Sequence, residues 1–147
     1  MIEVDLRVDA QDWQQISDLE GLCLRALEAG AQVSGASGEV SLLLCDDDLM
    51  ANLNATWRGK TGPTDVLSFP AGPEAKPLLG DISIGYGIAQ RDAEAGGKTL
   101  EQHLSHLLIH GLLHLVGHDH IDDTMAVEME ALEVMALASL GWPDPYK

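Results

Sequence analysis

The sequence predicts a single α+β domain over residues 1–147, with about four strands in a mixed sheet packed against about five helices. Three observations predict it. At 147 residues the chain is long enough to bury roughly two-thirds of its unfolded surface around one core. Short runs of strand character fall before residue 86, whereas the last third carries long runs with apolar residues near a 3.6-residue period. No internal repeat, low-complexity tract or linker separates these runs into two bodies.

IEVDLRV (2–8) alternates apolar and polar residues and reads as a strand, and the region from Asp12 to Ala29 reads as a helix stopped by Gly30. GEVSLLLC (38–45) is a second strand. Asp46, Asp47 and Asp48 follow it where a helix N-terminus favours negative charge, ahead of LMANLNATWR; the glycine and bidentate glutamate of a calcium loop are missing. Pro63, Pro70, Pro73 and Pro77 bracket a short strand, TDVLSF (64–69). LLGDISIG (78–85) is the fourth strand, and YGIAQRDAEAGG a helix stopped by its glycine pair. The rest is helical, from TLEQHLSHLLIHGLLHLV to Gly117 and then from Asp123 to Leu140, closed by Gly141 and Pro143. Leu107, Leu108, Leu115, Val127, Leu132 and Met135 are predicted to pack these two helices together.

Twenty-four acidic residues against 8 basic ones give a formal net charge of −16, which repels nucleic acid and acidic membrane surfaces. The distribution matters more. Residues 58–98 carry 5 acidic and 5 basic groups, namely Arg58, Lys60, Lys76, Arg91 and Lys98 among the cations, so a local anion site fits inside an acidic shell. Cys23 sits inside the apolar run LCLRAL and Cys45 closes the run SLLLC, and both read as small buried hydrophobes, not as a disulfide or a thiolate site. No apolar run reaches the roughly 20 residues that span a bilayer, and the first residues lack a basic segment followed by an apolar one, so a cytoplasmic location is expected.

The six histidines all lie between residues 103 and 120. His106, His110 and His114 repeat every four residues along one helical stripe, but residues two turns apart, roughly 12 Å, cannot converge on one ion. The workable unit is the pair His110 and His114 with a third ligand brought back by a reversal at Gly117, either His118 or His120. The spacing H-x3-H-x2-G-x2-H selects His120, because it matches the zinc run of metzincin peptidases at every marked position but one. Gly111 stands where that run has its glutamate base. His103 and His106 are expected on the helix surface or behind a ligand, and Asp119 either fixes an imidazole tautomer or faces solvent.

With these residues placed, the sequence resembles the YbeY family of bacterial rRNA maturation factors. The resemblance rests on LNATWRGKTGPTDVLSFP (53–70), GDISI (80–84), HLLIHGLLHLVGHDH (106–120) and the closing GWPDPY. It implies a zincin-like fold, one zinc per chain on His110, His114 and His120, and an essential arginine at Arg58. Arg58 and His110 are then the expected catalytic residues. It further implies endonucleolytic trimming of 16S rRNA at its 3′ end and a part in ribosome quality control. The implied partners are rRNA and the ribosome or its proteins. His118 stands at a position often tyrosine in the family.

The residues support parts of this reading independently. A guanidinium at Arg58 offers a planar fork to phosphate oxygens ahead of a Gly/Pro-rich loop. Trp57 can stack a base, although an aromatic at a helix end is more often core. Val66, Leu67 and Phe69 are expected to pack, with Thr64, Asp65 and Ser68 satisfying backbone groups or lining a cleft. Two other classes share the motif: a peptidase, which lacks its base at Gly111, and a non-enzymatic ribosome-assembly adaptor in which zinc only staples the last helices. A structural zinc needs a fourth protein ligand, and no cysteine is at hand to provide it.

Overall fold

The computed structural model describes residues 1–147. Period-two alternation sets the sheet. Strand β1 (Ile2–Val8) turns Ile2, Val4, Leu6 and Val8 toward the main core and exposes Glu3, Asp5 and Arg7. β2 (Gly38–Cys45) runs parallel to it, with Ile2 opposite Gly38 and Val8 opposite Leu44. β3 (Val66–Pro70) lies antiparallel to β4 (Leu78–Gly85), which is parallel to β2, so the order across the mixed sheet is β1-β2-β4-β3. The sequence placed the third strand two residues earlier; Thr64 and Asp65 instead form the approach to it.

Five α-helices surround the sheet: α1 (Leu19–Ser34), α2 (Asp47–Arg58), α3 (Tyr86–Ala95), α4 (Leu100–Leu115) and α5 (Asp123–Ser139). Leu42, Leu44, Ile82 and Ile84 meet Leu27 of α1 and Leu104, Leu108 and Leu112 of α4 in the main core. On the opposite face α2 packs Met50 against Cys45 and Leu67. The Asp run does start a helix. Asp46 Oδ1 accepts from the Leu49 amide at 2.9 Å, a cap of about 1 kcal/mol, and Asp47 accepts from the Ile88 amide and from Arg91, tying α2 to α3.

Two expectations need correction. The region read as one helix from Asp12 to Ala29 is a 3₁₀ turn, Gln11–Gln15, followed by α1, and α1 passes through Gly30 to end at Gly35. Gly30 is a packing residue rather than a stop, because a β-carbon there would sit 3.0 Å from Leu112 Cδ2 of α4. The second concerns α4 and α5. Their contact is built from Ile109, Leu113, Met129, Ala136 and Leu137, with Leu132 packed against it. Leu107, Leu108 and Leu115 point into the main core instead, and Val127 and Met135 are 68% and 58% exposed.

Candidate metal centre and cleft

Thr99 caps α4 through the Gln102 amide, and the helix then carries the histidines along its length. At its end Gly117 adopts φ 102°, a conformation open to glycine at little cost, and the chain turns back. The reversal carries His120 against the helical pair: ring centroids of His110, His114 and His120 lie 4.6, 5.3 and 5.7 Å apart. His110 Nε2 and His114 Nε2 face each other at 3.1 Å. Two nitrogens each about 2.0–2.1 Å from one tetrahedral ion stand about 3.3 Å apart, so this pair is already near ligand spacing. One donor atom from each of the three imidazoles falls within 4.8 Å of the others. All three donors are imidazole nitrogens, a set suited to zinc and its neighbours, and three ligands leave a tetrahedral ion one position for water or substrate.

Burial first, and then the neighbouring His110, push the His114 pKa below the usual histidine value, which favours the neutral ring that a metal needs. Asp119 Oδ1 accepts from the His120 amide and stands 4.0 Å from His114 Nδ1 and 3.8 Å from His120 Nδ1, just beyond direct hydrogen bonding. His118 lines the same cleft but is not among the three converging donors.

The cleft holds about 680 Å³ and joins the histidines to the loop before β3; Arg58, Lys60, Asp65 and Ser68 all line it. Arg58, the last residue of α2, donates to the Ser68 carbonyl at 2.6 Å and lies over the Phe69 ring, 5.0 Å from its centroid. Asp65 Oδ1 accepts from the Val66 amide, and the Ser68 hydroxyl donates to the Gly111 carbonyl. Of the five cations in the neutral segment, Arg58 and Lys60 reach the cleft; Arg91 is engaged by Asp47, and Lys98 by the Pro145 carbonyl. Trp57 is not core but 67% exposed. Gly111 backs onto the sheet, where a β-carbon would lie 3.1 Å from Ser68 Oγ and 3.2 Å from two Ile82 carbons, so any side chain there, the peptidase glutamate included, would crowd both.

Behind the centre lies a cluster of which the sequence reading offered only His106, as a residue behind a ligand. Glu133 of α5 is 1% exposed, and its carboxylate meets three partners. His110 Nδ1 is 2.9 Å from Oε2, His106 Nε2 is 2.5 Å from Oε1, and the Tyr146 hydroxyl donates to Oε1 at 2.5 Å. Burial alone raises the Glu133 pKa, but the hydrogen bonds from His106, His110 and Tyr146 together outweigh it and hold the carboxyl at about 2. Burial and the facing Glu133 push the Tyr146 hydroxyl upward. A signal for Glu133 was available: it shares a helical stripe with the buried Met129, Ala136 and Leu137, and a lone acid on an apolar stripe calls for a partner. His103 differs from His106, with both ring nitrogens sealed from solvent and unpaired near Asp65 and Asp92.

Comparison with known proteins supplies an independent line. The family model described as Endoribonuclease YbeY matches residues 6–141. Among relatives, an endoribonuclease YbeY of Rhodopseudomonas palustris is 45% identical over 97% of this chain and 90% of its own. One from Rhizobium meliloti is 40% identical over 99% of this chain and 95% of its own. The solution structure of TM1509 from Thermotoga maritima superposes with a TM-score of 0.61 at 27% identity, covering 96% of this chain and 92% of that one. Sequence, architecture and a match over nearly the whole length agree, and the chain belongs to the YbeY endoribonuclease family.

Proposed function

We propose that the chain acts as one domain, residues 1–147, as a zinc-dependent endoribonuclease in rRNA processing. In this reading its substrate is the 3′ end of 16S rRNA, and it takes part in ribosome quality control. The observation that carries the reading is the convergence of His110, His114 and His120 on the cleft that Arg58 also lines. His110, His114 and His120 would hold one zinc, which would supply Lewis acidity, lowering the pKa of water toward 7 and polarising a phosphoryl oxygen.

The chain's own residues do the rest. Arg58 uses one guanidinium donor on the Ser68 carbonyl and rests on Phe69, which holds its planar fork in the cleft for phosphate oxygens as charge develops on them. Lys60 lines the same cleft and brings a second positive charge to it. Trp57, exposed in a separate hollow with Leu43 and Phe69, offers a face on which a base lying beyond the cleft stacks. With a net charge of −16 the protein holds naked RNA weakly, so the ribosome or a ribosomal protein presents the substrate, and no membrane is involved. No helix is long and apolar enough to cross one.

A direct test is cleavage of ribosome-bound and free RNA carrying the 16S 3′ end by purified protein, with chelator and after zinc is restored. Loss with chelator and recovery with zinc are expected. Cleavage indifferent to chelator would overturn the zinc reading, and a zinc-loaded protein that cleaves neither RNA would leave the stapled assembly adaptor.

A further inference from the structure

We infer that Glu133 is a positioning residue for the metal centre: it fixes the His110 imidazole with Nδ1–H toward α5 and Nε2 toward the other two histidines, and is itself held by His106 and Tyr146. The inference rests on the reading of His110, His114 and His120 as ligands.

The argument begins with the ring. A neutral imidazole carries its hydrogen on either nitrogen, and only the unprotonated one can bind a metal. His110 Nε2 faces His114 Nε2 at 3.1 Å and His110 Nδ1 faces Glu133 Oε2 at 2.9 Å. A carboxylate only accepts hydrogen bonds, so Nδ1 must carry the hydrogen and the Nε2 lone pair is left for the metal.

The carboxylate is fixed just as firmly. Its other oxygen takes hydrogen bonds from His106 Nε2 and from the Tyr146 hydroxyl, and the residue is 1% exposed, so water does not compete for it. His106 stands one turn before His110 on α4, Glu133 belongs to α5, and Tyr146 lies in the segment beyond α5. Three separate pieces of chain therefore set the orientation of one ligand ring. His114 and His120 have no carboxylate within hydrogen-bonding reach, since Asp119 is 4.0 and 3.8 Å from their Nδ1 atoms.

Wild type, Glu133→Gln and Glu133→Asp are compared by competition for zinc against a chromophoric chelator, by melting of the metal-free protein, and by nitrogen NMR of the His110 ring. The glutamine side chain has one accepting oxygen for three donors, and aspartate keeps the charge but ends about 1.5 Å short of His110. Both variants should bind zinc about 10- to 100-fold more weakly. The metal-free wild-type ring should be the Nδ1–H tautomer, and in each variant a mixture of both. The wild-type spectrum decides even if a variant fails to fold, because an Nε2–H ring in the metal-free protein overturns the inference. So does a folded variant with wild-type zinc affinity and tautomer. Failure of wild type itself to bind zinc would strike the metal-site reading instead.

Discussion

Arg58 reaches the cleft already held on two sides, by the Ser68 carbonyl and by the ring of Phe69. Its replacement therefore has two separable effects. Arg58→Ala should retain zinc and lose about 1 kcal/mol of stability from the cation–π contact and hydrogen bond. Cleavage should fall a few hundredfold, about 3–4 kcal/mol of transition-state stabilisation. Arg58→Lys should recover little, lacking the fork. Cleavage assays beside thermal melts check this, and a fall in rate that merely follows unfolding would remove Arg58 from the mechanism. His114→Ala should lose bound zinc by elemental analysis, whereas metal content equal to wild type would exclude His114 as a ligand. Gly111→Ala forces a methyl against Ser68 and the fully buried Ile82, which outweighs the gain in helix propensity, so a net loss of about 1–2 kcal/mol in denaturant melts is expected. Cys23 and Cys45 are each raised to about 12, by burial first and by Glu20 and Asp46 next. Because the folded value exceeds the ordinary 9.0, that contribution to stability is complete below pH 9 and is lost as the pH climbs from there toward 12. Labelling by iodoacetamide at pH 8 should thus proceed no faster than global opening, and rapid labelling of folded protein would contradict the burial.

At the scale of elements, most strands and caps were legible because each rests on a local rule. β2 and β4 fall on the predicted residues, and the Asp run at 46–48 begins α2 as its charge required. What was lost depends on a partner distant in sequence. Gly30 looks like a stop until α4 is laid across it, and α5 is apolar on more than one side, so Val127 and Met135 seemed as suitable for its core stripe as Met129 and Leu137. The convergence of His110, His114 and His120 was legible because two of them share a helix and the third follows one turn glycine. Glu133 was legible only as a lone acid on an apolar stripe, and its partner was not, since His110 lies 23 residues away. The helix bearing the ligands is buried along most of its length, so amides from Leu104 to Leu113 should exchange only through global unfolding, while those at 117–122 exchange early. Hydrogen exchange with residue resolution checks it, and early exchange within α4 would mean that the ligand pair is not rigidly held.

For the whole molecule, charge sets the terms of RNA handling. Two cations, Arg58 and Lys60, line the cleft of a chain with net charge −16. Two phosphate contacts on a single strand give a slope of log affinity against log salt of about −1.4, shallow for a nuclease that finds its substrate unaided. Titration of a short unstructured RNA across salt concentrations measures that slope, and a value several times steeper would show that a larger basic surface takes part. The need for a presenting partner follows from total charge, but the slope does not, because the middle segment holds five cations and two of them, Arg91 and Lys98, are occupied elsewhere in the fold.

The three tryptophans occupy three different surroundings. Trp13 is fully buried with its indole nitrogen on the Cys45 carbonyl, Trp142 packs beside Met129 and Leu137, and Trp57 stands in solvent one residue from Arg58. The protein thereby carries its own optical gauge. Acrylamide should quench chiefly the emission of Trp57, which lines a hollow with Leu43 and Phe69 apart from the cleft; RNA confined to the cleft should leave that quenching unchanged, and RNA that runs on past Phe69 should reduce it while the light from Trp13 stays the same.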